Sequence, residues 1–360
     1  MSGNIDVAYS NVGFSGLNKE TSTVRREGQT VSSLTTASTS MIVLKAEEDL
    51  GTGMKATAYV ELDPRVGMAD GGTSGTSYHS RFVGISGNFG AVKLGSIDSA
   101  AVIANGQQSP LGTGVGSGYA ILQSNVFAAT RYNRAVKYES PVMSGFSGSV
   151  YYAPGIQADG TTNVAYAGLP MQRKTTELGL AYANGPFAAS LVNIATASAD
   201  GSSAAGTVAP ISYATAATNP STSTNLLTAT YALGSSSFHA GYNKGKTLGT
   251  AESTSGAYYA PALAAGLDTK GSRFGYKYVA GQYDFIVQTG QQKISTTTAA
   301  TAYTTRKVNG FRVVNNLSKT AAVYVGVETY NSGADLAANN TANADGGKYT
   351  VTSFGIKKAF

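Results

Sequence analysis

Cysteine is absent from this chain, which removes disulfide frameworks, thiolate nucleophiles and Cys-based zinc sites together. Tryptophan is absent too, and the only two histidines, His79 and His239, stand far apart in sequence. No Gly-x-Ser-x-Gly, His-Glu-x-x-His or metal-ligand cluster accompanies them, so neither an enzyme nor a metal or cofactor site is expected. No stretch approaches the roughly 18 to 20 consecutive apolar residues of a membrane-spanning helix. No basic segment and apolar run of the kind that forms a leader peptide precedes the first strand-like sequence, so Met1 is read as the start of a chain whose leader is missing. Charge is sparse at 13%, and although the net balance is +6, the lysines and arginines are scattered singly. A nucleic-acid partner would call for a basic run or stripe, and none is present.

What is abundant is turn and strand chemistry: 44 glycines and 22 tyrosines in 360 residues, with much Ser, Thr, Ala and Asn. Seven short segments carry tight-hairpin residues: 49–53, 87–90, 141–145, 184–186, 234–236, 280–282 and 316–319. Eight longer polar stretches alternate with them, at 13–37, 64–79, 98–130, 156–170, 199–220, 248–268, 295–303 and 332–346. Seven short and eight long connections join sixteen strands. The expected fold is all-β: a 16-stranded antiparallel transmembrane barrel forming one domain over 1–360, with short periplasmic turns and long extracellular loops.

The intervening segments alternate. In 54–62 the even residues Met54, Ala56, Ala58, Val60 and Leu62 are apolar and the odd ones mostly polar. The last strand ends on the aromatic Phe360, with Thr352, Phe354 and Ile356 on a lipid face and Ser353, Gly355 and Lys357 on a water face, as outer-membrane barrel strands end. A lipid-facing strand needs only every second residue apolar, which explains a mean hydropathy of −0.07. Tyr151, Tyr152, Tyr182, Tyr278, Tyr283 and Tyr330 near strand ends are candidates for aromatic girdles. Carried around the barrel, the parity gives Lys45, Lys55, Arg131, Lys137, Arg173, Arg273, Lys277, Arg312 and Lys357 as lumen-facing bases. It gives Glu47, Glu61, Glu139, Glu177, Asp284 and Glu328 as lumen-facing acids, so bases outnumber acids.

Several motifs resemble those of the general porins of Gram-negative bacteria, in particular the trimeric sixteen-stranded porins of β-proteobacteria. They are 45–51 with 54–56, 82–90 with 93–95, 131–133 running through 137–141, 316–319, and the terminal 355–360. The resemblance covers nearly the whole chain. It implies a homotrimer in the bacterial outer membrane, among outer-membrane lipid and lipopolysaccharide, whose pores pass small hydrophilic solutes and inorganic anions by passive diffusion. It implies that the third long loop, 98–130, folds inward and constricts the pore. That loop carries one charge, Asp98, where many family members carry several acids. Its Gly112-Thr113-Gly114-Val115-Gly116 run lacks the Lys-Ser/Thr of a phosphate loop and is read as loop.

By the same resemblance the family's constriction arginines on the second, fourth and sixth strands fall on Met41, His79 and Arg131. Only Arg131 keeps the type, with Lys137 expected on the same inward face through shared parity with Asn133. Modest anion preference is the expectation, with Arg131, Lys137, His79, Met41 and Asp98 at the constriction. A solute-specific channel or a non-channel surface β protein such as an adhesin are the alternatives.

Overall fold

The computed structural model describes residues 1–15, 30–35, 40–64, 77–112, 114–117, 131–154, 174–197, 206–208, 211–213, 221–246, 268–295, 303–331 and 348–360. The strands in chain order are β1 (Ser2–Ser15), β2 (Thr30–Thr35), β3 (Met41–Gly51), β4 (Met54–Asp63), β5 (Ser77–Gly87) and β6 (Gly90–Asp98). Helix α1 (Ala100–Gln107) follows, then β7 (Arg131–Glu139), β8 (Phe146–Ala153), β9 (Thr175–Asn184) and β10 (Phe187–Thr196). A small hairpin, β11 (Gly206–Val208) and β12 (Ile211–Tyr213), precedes β13 (Thr222–Leu233), β14 (Ser236–Lys246) and β15 (Asp268–Ala280). The chain finishes with β16 (Tyr283–Ser295), β17 (Tyr303–Asn316), β18 (Ala321–Asn331) and β19 (Lys348–Ala359).

All but β11 and β12 belong to one 17-stranded antiparallel sheet, in which strands consecutive along the barrel pair with each other except β2 and β3, which each pair with β1. Because β2 and β3 both pair with the same edge of β1, they share one strand position, which leaves sixteen. The sheet closes where β1 meets β19 over Asn4↔Ala359 to Ser15↔Lys348. Reciprocal backbone bonds between Gly3 and Phe360, at 2.9 and 3.0 Å, extend that seam to the last residue. Closure joins the first and last strands of the barrel, so neither is left as a free edge, as a sheet in hydrocarbon requires.

Each of the seven expected tight turns joins two paired strands. The long connections are shorter than their polar composition suggests. The expected stretch 13–37 contains the end of β1 and all of β2, and 64–79 contains the start of β5. Strands rising above the bilayer meet water on both faces and lose their alternation, so composition reads them as loop.

The outer face is apolar, with Leu44, Val83, Leu94, Leu180, Val287 and Phe354 exposed. The inner face is polar, with Ser10, Thr228, Gln288, Gln292 and Ser353 buried. Tyr152, Tyr278 and Tyr283 are exposed on the outer face. Tyr151 and Tyr330 are corrections to the girdle assignment. They are 0% and 3% exposed and face inward, because neighbouring strand residues point to opposite sides.

Candidate pore lining and inner loop

Two register shifts shape the wall made by β4 to β7. Between β4 and β5, Val60 pairs with Arg81 and Leu62 with Tyr78, so Glu61 lies opposite both His79 and Ser80. This bulge turns two consecutive residues toward one carboxylate. His79 Nδ1 is 3.0 Å from Glu61 Oε1 and its Nε2 is 3.5 Å from Asp63 Oδ2. Between β6 and β7, Gly95 pairs with Ala135 and Ile97 with Tyr132, and Arg134 adopts a φ of 56° in the extra residue. Strict alternation from Lys137 through Asn133 to Arg131 is therefore interrupted.

Arg131 nevertheless reaches the group. It pairs across the strands with Asp98, its Nε lies 2.5 Å from Asp98 Oδ1, and its Nη2 is 3.9 Å from Glu61 Oε1. The Ser80 hydroxyl donates to Asp98 Oδ1 at 2.9 Å, and the Tyr59 hydroxyl donates to Glu61 Oε2 at 3.1 Å. Lys137, 3% exposed, contacts Glu139 Oε1 at 2.9 Å and donates to the Asp98 carbonyl at 3.4 Å. Lys93 shares Glu139, at 2.5 Å from Oε2. Sequence reasoning passed over Asp63 and Lys93, although parity along β4 and β6 would have found both.

The other candidates are dispersed. Lys45 bridges to Glu47 on its own strand at 2.9 Å, and Lys55 pairs in register with Asp49 near the first tight turn. Lys277 bridges to Asp284 at 2.7 Å. Met41 pairs with Asn4 on β1, and Lys357 pairs with Asp6. Arg273 and Arg312 are 4% and 7% exposed on the inner face of β15 and β17, where Arg306 is also buried. Arg173 lies outside the described residues. Asp98 is the last residue of β6 and belongs to the wall, and the described loop after it carries no ionisable side chain.

That loop enters the barrel through α1. Ser99 caps the helix by accepting from the Val102 N–H at 3.0 Å. Glu177 of β9, 0% exposed, accepts from the Ala101 N–H at 3.0 Å. A carboxylate at a helix N-terminus meets free N–H groups and the positive end of the helix dipole. Ala100, Ala101 and Ala104 pack on Val192, Ile194 and Leu226 of β10 and β13. Beyond the helix the loop follows the inner wall from β14 to β18. The Gln107 carbonyl lies 2.8 Å from His239 Nδ1, Gln288 Nε2 donates to the Ser117 carbonyl at 2.5 Å, and Gly116 N–H donates to Glu328 Oε2 at 2.7 Å. Arg312 Nη2 donates to the Val115 carbonyl at 2.5 Å.

Glycines on the strands make room for this path. A Cβ on Gly241 would meet Gln108, one on Gly275 would meet Pro110, and one on Gly310 would meet the Gly116 backbone. With Glu177 replaced by Ala, the N-terminal turn of α1 loses its wall anchor, worth about 1–2 kcal/mol. Single-channel records of this variant are expected to show more open-state noise and faster closure under voltage. Records matching the parent's would mean that Glu177 does not hold the loop.

A closed antiparallel barrel with an apolar outer belt, a charged inner wall and a loop packed inside it is a transmembrane channel scaffold. The chain belongs to the Gram-negative porin family, whose model matches residues 1–335. The major outer membrane protein P.IB of Neisseria gonorrhoeae is 32% identical over 133 residues, 37% of this chain and 37% of that protein. The matched stretch thus spans little more than a third of that relative. Among solved structures, the anion-selective porin from Comamonas acidovorans aligns over 100% of this chain and 98% of its own, with a TM-score of 0.70 and 21% identity. The trimer form of OmpT from Vibrio cholerae aligns over 100% of this chain with a TM-score of 0.62 and 12% identity. At these identities the structural likeness establishes the fold. Family and relatives place the protein in the bacterial outer membrane.

Proposed function

We propose that the chain forms a water-filled pore for passive diffusion of small hydrophilic solutes and inorganic ions, with modest anion preference. Fold and family point to a channel rather than an enzyme. The observation that carries the reading is the inner surface itself: the loop is drawn against β9 to β18, while the ionic group of Glu61, Asp63, His79, Asp98, Arg131 and Lys137 occupies β4 to β7. The preference is modest because most wall bases sit beside an acid, as in the Arg131–Asp98 and Lys277–Asp284 pairs. Its anionic sign rests on Arg273, Lys277, Arg306 and Arg312 of β15 and β17, against Asp284 and Glu328 on β16 and β18.

The assembly proposed is a homotrimer in outer-membrane lipid, in line with the trimer form of OmpT and with the family resemblance. The test is single-channel recording of purified protein in a planar bilayer under a KCl gradient. Steps in groups of three with a chloride-favouring reversal potential are expected. Folded protein that yields no steps would overturn the diffusion channel, and a potassium-favouring potential would overturn the preference alone. Block by one sugar or anion at low concentration would mark a solute-specific channel instead.

A further inference from the structure

Arg306 of β17 is 1% exposed on the inner face, and none of its three guanidinium nitrogens has a hydrogen-bond partner among the described residues. Its register partner on β16 is Gln292, also 1% exposed. Gln292 is in turn the partner of Gly271 on β15, which pairs with Asn243 on β14. One inner row thus runs from Asn243 through Gly271 and Gln292 to Arg306. A Cβ on Gly271 would meet both Gln292 Oε1 and Asn243 Oδ1, so the two carboxamides come together over the glycine. Gln292 Nε2 donates to the Thr269 hydroxyl, whereas Gln292 Oε1 and Asn243 Nδ2 are buried and unpartnered among the described residues. The row lies beyond Gln288 toward the long-loop ends of the strands, on a different wall from the Arg131 group of β4 to β7.

A guanidinium held out of water without an acceptor destabilises a fold, because every unmet donor has given up its hydration. The acids of these strands are engaged elsewhere. Asp268 is bridged to Lys246 at 3.0 Å, Asp284 to Lys277 at 2.7 Å, and Glu328 of β18 accepts from the Gly116 N–H at 2.7 Å. What the row offers is therefore a set of donors with one acceptor among them. The planar fork of Arg306 matches a carboxylate, which accepts two parallel N–H bonds, and Asn243 Nδ2 adds a further donor. Gln292 Oε1 repels a bare carboxylate and calls for a donor on the same molecule. An ammonium in that place would stand close to Arg306 and to Arg273, the next inner residue along β15 from Gly271. A hydroxyl meets no such repulsion, while chloride and sulfate bring no donor at all.

We infer that Arg306, Asn243 and Gln292 form a binding subsite for a small hydroxycarboxylate, a solute with a hydroxyl on the carbon next to its carboxylate. This rests on the pore reading proposed above and names a solute class that the wall selects. Strand order assembles the subsite, since β14, β15, β16 and β17 are consecutive and their register aligns the three side chains.

The test follows thermal unfolding of the detergent-purified full-length protein against sodium lactate, propionate, sulfate and phosphate at equal ionic strength. A ligand that binds the folded barrel alone raises its melting temperature by mass action. Lactate is expected to act at concentrations about tenfold below those propionate needs, since propionate leaves the Gln292 acceptor unmet. In R306Q the half-effect concentration of lactate should rise roughly tenfold to hundredfold. Without ligand that variant should melt at or above the parent temperature, because an unpaired buried charge has been removed. In Q292L lactate should lose its advantage over propionate while both still bind, which also gives a reading if R306Q does not fold. R131A, on the other wall, is expected to keep the lactate response.

Equal responses to lactate and propionate in the parent, or a stronger one to phosphate, would overturn the hydroxycarboxylate assignment. An unchanged lactate response in R306Q would overturn the site itself. Absence of any lactate response in the parent would do the same, and conductance steps in a bilayer would then still uphold the pore. Melting needs no ion flow, so a lactate response that R306Q abolishes, in folded protein giving no steps, would uphold the site and remove the channel reading alone.

Discussion

Replacing Arg131 with alanine is expected to turn the channel cation-preferring, with a several-fold rise in potassium over chloride permeability. The reason lies in what Arg131 faces. Its guanidinium lies 2.5 Å from Asp98 and 3.9 Å from Glu61, and Asp63 shares the group through His79. Removing it deletes one positive charge and also leaves these carboxylates without their strongest counter-charge. The Debye length in physiological salt is about 8 Å, so unmasked carboxylates act on any ion within that range. D98N is expected to move the reversal potential the opposite way, and the double variant to fall between. The measurement is the zero-current potential in a tenfold KCl gradient. An R131A potential equal to the parent's would place Arg131 outside the narrowest part of the pore.

A side chain at Gly310 is expected to have the largest effect on the inner loop. Its Cβ would lie 1.9 Å from the Gly116 carbonyl oxygen and 2.5 Å from the Gly116 carbonyl carbon, both backbone atoms that no rotamer change can move. In G310V the loop must leave the β17 wall, and the only direction open to it is toward the barrel axis. Conductance is therefore expected to fall. The loop also gives up two charge-assisted bonds, Gly116 N–H to Glu328 and Arg312 to the Val115 carbonyl, each worth about 1.5–3 kcal/mol. Both charged partners are buried, so their loss should lower the unfolding temperature in detergent as well. G13A is the control, since a Cβ at Gly13 meets nothing within 4 Å. Unchanged conductance and melting in G310V would mean that the loop does not rest on β17.

Much of the barrel was legible because its rules are local. Turn chemistry marked the seven tight hairpins of the barrel sheet, though not the small β11–β12 hairpin, and the two-residue period separated Leu180 and Phe354 from Glu177 and Ser353 without any partner strand. Alternation failed where it is not strictly two. At the bulges opposite Glu61 and Ser96 an extra residue is inserted, and nothing in 79–80 or 133–134 announces it, because a bulge is set by the register of the neighbouring strand. Tyr151 and Tyr330 were misassigned for a simpler reason: tyrosine suits both an interface and a polar interior, and only the face of the strand decides.

By itself the sequence determined an all-β chain with its turns, its lipid-facing stripe, and most of its inward charges, since these follow from residue type and spacing alone. Tertiary structure decided which of those charges meet. Arg131 with Asp98 and Glu61, Lys93 and Lys137 on one Glu139, the loop seated on Gly241, Gly275 and Gly310, and the inner row of Asn243, Gln292 and Arg306 are products of strand order and register. Contacts between residues tens to hundreds of positions apart arise only when closure fixes how far each strand slides against the next, and a local pattern carries no record of that distance.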